Sequence, residues 1–78
     1  HILDSRAEAL EFVIREESEV TGIPLMNLNL KNNLLIGCIN RGGNIKIARG
    51  QDCIQQGDTV IVLTSQKGLR DIRDILRK

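Results

Sequence analysis

Apolar and polar residues alternate from Ala9 to Arg15, with Leu10, Phe12 and Ile14 on one parity and Glu11, Val13 and Arg15 on the other. A period of two belongs to a half-buried strand, because successive side chains point to opposite sides of a sheet. The run Glu16-Glu17-Ser18-Glu19 ends that pattern, and Thr21-Gly22 leads into Ile23-Pro24. Proline lacks the N–H that the first turn of a helix leaves unpaired, so Pro24 with the i, i+3 pair Leu25 and Leu28 predicts a short helix of a turn or two. Lys31-Asn32-Asn33 closes it with turn-forming residues.

Leu34 to Asn40 is a compact apolar run, too short for an independent helix and suited to a strand covered on both faces. Arg41-Gly42-Gly43-Asn44 follows, and a Gly-Gly pair supplies the positive φ angles of a two-residue hairpin, with Ile45 and Ile47 alternating along the returning strand. Arg49-Gly50 ends that strand. Gly57-Asp58 then turns the chain into Thr59-Val60-Ile61-Val62-Leu63-Thr64, whose β-branched content predicts a strand. Behind it, Ser65 suits a helix N-cap, and Leu69, Ile72, Ile75 and Leu76 share one helical face, with Arg70, Asp71, Arg73, Asp74 and Arg77 on the solvated remainder. Arg77 and Lys78 would complement the C-terminal end of that helix dipole. The expected fold is α+β: a small, mainly antiparallel sheet in the order strand, short helix, three strands, C-terminal helix.

Seventy-eight residues make one domain, residues 1–78, and a core this small leaves much of its surface uncovered, so a partner over part of it is expected. Apolar residues at 41% and charged residues at 27% place the chain among folding sequences and away from disordered ones. No apolar stretch approaches the roughly 20 residues of a membrane-spanning helix. The opening His1-Ile2-Leu3-Asp4-Ser5-Arg6 has no sustained apolar region behind a basic one, so a cytoplasmic location without direct membrane insertion is expected. With a net charge of +1, interspersed signs and Phe12 as the lone aromatic residue, nucleic acid is not an expected partner.

The chemistry-bearing residues are sparse. Cys38 and Cys53 lack the spacing of a zinc or redox motif and His1 is the lone histidine, so no metal site is expected. Cys38 reads as a small buried hydrophobe. Neither Arg41-Gly42-Gly43-Asn44 nor Arg49-Gly50 has the glycine spacing of a phosphate-binding loop or dinucleotide fingerprint. The serines and threonines have no internal histidine base, and Glu16, Glu17 and Glu19 are the sole basis for an acid–base reading, so no catalytic residue and no enzyme is expected. Arg41 and Arg49 stand at strand ends, where a guanidinium can form a fork to phosphate or carboxylate.

Taken in order, Glu8-Ala9-Leu10-Glu11-Phe12, Ile23-Pro24-Leu25, the Leu34 to Gly43 segment, Arg49-Gly50 and Gly57-Asp58-Thr59-Val60-Ile61-Val62 resemble the TrkA C-terminal (RCK_C) family over nearly the whole chain. One position departs from it: members often carry Pro before the Arg-Gly, where this chain has Ala48. The resemblance implies a cytosolic regulatory and dimerisation module of a bacterial potassium uptake system. Such a module acts at the inner face of the cell membrane and gates a membrane potassium transporter subunit through ligand-linked conformational change. It also implies a Rossmann-type domain elsewhere, binding NAD(H) or ATP/ADP, with no cofactor in this domain. A homodimer is implied, and cyclic di-AMP is the implied kind of ligand, with Ile36, Ile39, Arg41 and Arg49 as candidate contacts. The alternative implied is a cyclic-dinucleotide sensor attached to another transporter or to a transcription regulator.

Overall fold

The computed structural model describes residues 7–77. The expectations for residues 1–6, including His1, and for Lys78 lie outside the described residues. Four strands, β1 (Glu8–Val13), β2 (Leu34–Arg41), β3 (Asn44–Ile47) and β4 (Thr59–Thr64), form one sheet in the spatial order β1-β4-β2-β3, antiparallel at every pairing. The strands fall where period-two alternation, the Gly-Gly hairpin and the β-branched run place them.

The expected helices do not form. Among the described residues the helical structure is two 3-10 turns, Leu25–Asn27 and Ile72–Ile75, so the fold is an antiparallel sheet with a loop layer and the α+β expectation is corrected. The first turn starts behind Pro24 and ends at Leu28, which returns to extended backbone. At the C-terminus the amphipathic spacing is real but the segment is cut short from both sides. Gly68 sits at φ +82° and Asp71 is extended, so a helix can begin only at Ile72.

There Asp71 accepts a bond from the Arg73 N–H, and the Asp74 carboxylate accepts from the N–H groups of Arg70 and Asp71 at 2.9 and 3.0 Å, a capping box. Leu76 returns to extended backbone and bridges Leu30, while Lys31 N–H donates to the Ile75 carbonyl and Arg77 N–H to that of Asn29. One turn cannot repay the cost of nucleating an α-helix, and tertiary bonds to residues 29–31 take its place. Three residues per 3-10 turn put Ile72 and Ile75 on one side, and both are buried. Arg77, expected to complement a helix dipole, donates to the Asn32 side chain instead.

The core lies between the inner face of the sheet and the loop layer. Leu10 and Phe12 of β1 face Val62 and Val60 of β4, and Ile36 and Ile39 of β2 face the same two valines from the other side. Ile14, Val20, Leu25, Ile54, Ile72 and Ile75 close over them from the loops. Ile36 and Ile39 are three apart, which in a regular strand would send them to opposite faces. A β-bulge between Ile36 and Cys38 resets the parity and turns both inward. The loop layer is pinned by backbone bonds: Met26 N–H to Gly50, Leu25 N–H to Asp52, Gly22 N–H to Ile54, and Ile14 with Gly57 and Asp58.

At the β2–β3 hairpin, Gly42 and Gly43 have φ of +60° and +90°, the double positive a type I′ turn requires, and the Asn40 side chain accepts from the Gly43 N–H. Nothing lies within 4 Å of a Cβ built at either position, so a substitution there meets backbone strain alone. Gly43→Val is expected to cost at least about 1 kcal/mol in urea unfolding, while Gly42→Asn, which tolerates positive φ, stays within about 0.5 kcal/mol of the parent. Equal costs for the two would count against this turn geometry.

Candidate functional site

β2 ends at Arg41, whose side chain turns to the inner side of the sheet. Its Nε donates to Oδ1 of Asp58 at 2.8 Å, and its Nη2 donates to Oδ2 of Asp58 at 2.8 Å and to the Cys53 carbonyl at 2.9 Å. Asp58 is 1% exposed and also accepts from the Gln55 N–H at 2.8 Å, so the carboxylate is fully bonded at the mouth of β4. The Arg41 bond holds the Asp58 carboxyl below its ordinary range against the opposing effect of burial, and the same bond raises Arg41. The fork joins the hairpin strand, the 53–57 loop and the start of β4. Arg41 remains 43% exposed, and its Nη1 is not among these bonds.

Beside the hairpin, Lys46 also turns inward and its Nζ meets Oδ1 of Asp52 at 2.9 Å, while Oδ2 of Asp52 accepts from the Arg49 N–H at 2.8 Å. These two bonds lower the Asp52 carboxyl, the Lys46 contact most. An open cavity of about 430 Å³ lies here, lined by Lys46, Ile47, Arg49, Gln51 and Asp52, and it holds an exposed Arg49. A second open cleft of about 500 Å³ runs between the end of β1 and the C-terminal turn, with Arg15, Arg70 and Arg73 set against Glu11, Glu16 and Asp71. Its charges balance and single out no ligand. The Thr21 hydroxyl accepts from the Ser18 N–H and donates to the Ser18 carbonyl, and Glu16, Glu17 and Glu19 are exposed, which gives none of those acids the burial that acid–base chemistry exploits.

The four candidate contacts are therefore divided. Ile36 and Ile39 lie under the sheet at 6% and 0% exposure, Arg41 is held by Asp58 next to the hairpin turn, and Arg49 is exposed on the rim of the hairpin cavity. Missing from the sequence reading is the outer face of the sheet. Val13 from β1, Leu35 from β2, and Ile45 and Ile47 from β3 are 51%, 45%, 70% and 78% exposed, and all lie on that face with the half-buried Cys38, Ile61 and Leu63. Cys38, expected to be a buried hydrophobe, sits in the middle of it, paired across to Ile47 and Ile61. Since Ile36 and Ile39 both turn inward at the bulge, β2 is covered on one side only by the described residues.

Comparison with known proteins fits this arrangement to a family. The family model for the TrkA-C domain matches residues 9–77, from the start of β1 through the C-terminal turn. The chain belongs to the TrkA-C domain family. Among curated TrkA-C relatives, a protein named Trk system potassium uptake protein TrkA homolog from Pyrococcus abyssi is 34% identical over 73 residues, covering 92% of this chain and 32% of the relative. The homolog of that name from Pyrococcus horikoshii gives the same identity and coverage. The Trk system potassium uptake protein TrkA of Haemophilus influenzae is 34% identical over 64 residues, 78% of this chain and 14% of its own length. The chain thus spans about a third or less of the curated relatives it matches. Among the described residues no helix is long and apolar enough to cross a membrane.

Proposed function

We propose that this TrkA-C domain is a regulatory module of a potassium uptake system, the reading carried by the family match across residues 9–77 together with relatives named for Trk potassium uptake. In this reading it works in the cytoplasm as a homodimer beneath a membrane potassium transporter subunit, alongside a Rossmann-type domain that binds NAD(H) or ATP/ADP. A regulatory ligand that favours one dimer geometry biases the transporter by its differential affinity for the two states. The ligand is a small anion of the cyclic dinucleotide kind, met along the hairpin: Arg49 from the cavity rim past the end of β3, the outward edge of the Arg41 guanidinium next to the turn, and Ile36 and Ile39 as the packed layer that holds the hairpin in place.

Two experiments test it. When this chain replaces the matching segment of the Pyrococcus abyssi homolog, the chimera is expected to support potassium-dependent growth of a bacterial strain lacking its own uptake systems. A version with the segment deleted is expected to lose regulation of uptake, and indistinguishable uptake with and without it would defeat the regulatory reading. Calorimetric titration of the chain with cyclic di-AMP at moderate salt is expected to show saturable heat that falls at least about tenfold in affinity in Arg49→Ala. No heat at ligand concentrations well into the micromolar range would remove the dinucleotide and leave a dimerisation module.

A further inference from the structure

Among the described residues the sheet has two free edges, β1 and β3. We infer that β1 accepts a fifth strand from a partner polypeptide: an extended segment running antiparallel to it, apolar toward the core, basic opposite Glu11 and acidic opposite Arg15. Backbone bonds set which groups are open. The Ile14 N–H donates to the Asp58 carbonyl at 2.8 Å on the β4 side, so Phe12, Leu10 and Glu8, at steps of two, also turn their N–H and C=O groups to β4. Ala9, Glu11 and Val13 therefore direct theirs outward, and among the described residues no strand or backbone bond meets them there.

The β3 edge is blunted and the β1 edge is not. β3 offers four residues beside a tight turn, with Lys46 drawn to the inner side, whereas β1 runs six residues in unbroken register, with neither proline, lysine nor bulge. Beyond β1 lies the open cleft of about 500 Å³, with residues 11–16 as one wall and residues 70–73 as the other. Its balanced charge, which singles out no small ligand, fits a chain segment carrying both signs. On the outer parity Glu11 stands exposed between Ala9 and Val13, and a base across from it is its favourable neighbour. On the inner parity Leu10 and Phe12 are half-buried, so aliphatic side chains opposite them extend the core at its margin. At the far end Arg15 and Arg70 both line the cleft, and their guanidinium groups, which are in none of the described bonds, are placed to receive a carboxylate. A second copy lacks this pattern, since its own β1 brings Glu11 where the base belongs.

The probe is the capped peptide Glu-Ser-Val-Leu-Lys-Leu-Thr, which sets its Glu opposite Arg15 and its Lys opposite Glu11. Titrated into the 78-residue chain, it is expected to shift the amide resonances of Ala9, Glu11, Val13 and residues 70–73. The expected dissociation constant is on the order of 100 µM, since few backbone bonds form. Amide exchange reads the alternation directly. Without peptide, Ala9, Glu11 and Val13 exchange fast and Leu10 and Phe12 slowly, and saturating peptide is expected to slow the first three at least about tenfold. N-methylation of the peptide's Lys, whose N–H faces β1, is expected to abolish binding, while methylation of the Leu before it, whose N–H faces away, leaves affinity within about threefold. A peptide with Glu in place of Lys is expected to bind at least about tenfold more weakly, and Glu11→Lys, at an exposed position, to recover it. No shift well into the millimolar range, shifts confined to the hairpin or the outer face, or equal binding of the Lys and Glu peptides would overturn the proposal. So would protection of Ala9, Glu11 and Val13 that rises with protein concentration alone, which would assign the edge to a second copy.

Discussion

Replacing Asp58 with Asn is expected to destabilise the domain by about 2–4 kcal/mol, the range for removing one partner of a buried, hydrogen-bonded ion pair, tempered here because Arg41 keeps partial access to water. Asn preserves the shape but offers one acceptor where the carboxylate serves Arg41 twice and Gln55 once. A chain of this length has a total stability of roughly 4–12 kcal/mol, so the loss is a large part of it. A double-mutant cycle with Arg41→Ala is expected to show a coupling of about 1–3 kcal/mol, since the second substitution removes what the first has already stranded.

The pH dependence follows from the same bond. The Asp58 carboxyl is lowered in the folded state, so its contribution is complete above the ordinary carboxylate range and is lost as pH falls through the folded value. Urea midpoints taken from pH 7 downward are expected to fall below about pH 4, with the gap between parent and Asp58→Asn closing over the same interval. Parent and variant with equal midpoints at pH 7 would show that the fork orders the hairpin without stabilising it. The fork also bears on the ligand proposal, because an anion drawn to Arg41 competes with a carboxylate already seated there, whereas Arg49 pairs with Asp52 through its backbone N–H and carbonyl and its guanidinium is not in those bonds.

What could be read from the sequence was whatever depends on neighbours in the chain. β4 was legible because six consecutive residues rich in Val, Ile and Thr have one comfortable conformation, and the hairpin because Gly42-Gly43 supplies the two positive φ angles that few other pairs can. The partner of Asp58 was not legible. Arg41 is 17 positions away, and at a strand end a guanidinium facing inward and one facing solvent leave the same local pattern. The outer face was hidden for a related reason. Alternation assigns parity only until a bulge shifts it, and the shift at Gly37 turned an apparently two-sided apolar strand into one with Ile36 and Ile39 inside and Leu35 and Cys38 outside. The hairpin isoleucines, read as one side of an ordinary returning strand, then stand on the uncovered side.

The C-terminal segment is where local spacing misled, and Ile75→Ala measures what replaced the helix. Spacings of three fit both an α-helix and a 3-10 turn, and the decision came from Gly68, the Asp71–Asp74 capping box and the bonds to residues 29–31, none of which enters an amphipathicity count. Ile75 is fully buried against the core, and its carbonyl receives the Lys31 N–H, so the segment straps the loop layer shut. Truncation to Ala is expected to cost about 2–5 kcal/mol, through lost burial and the cavity left behind, and to lower the urea midpoint without changing the slope of the transition. A loss below about 0.5 kcal/mol would mean that the strap contributes no more than an exposed surface position. Gly68→Ala separates the two conformations by sign. In a helix the exchange would stabilise by up to about 1 kcal/mol, but at φ +82° it is expected to destabilise by a similar amount. With Ile75→Ala strongly destabilising and Gly68→Ala also destabilising, the segment is held by tertiary packing and joins the core through Ile72 and Ile75.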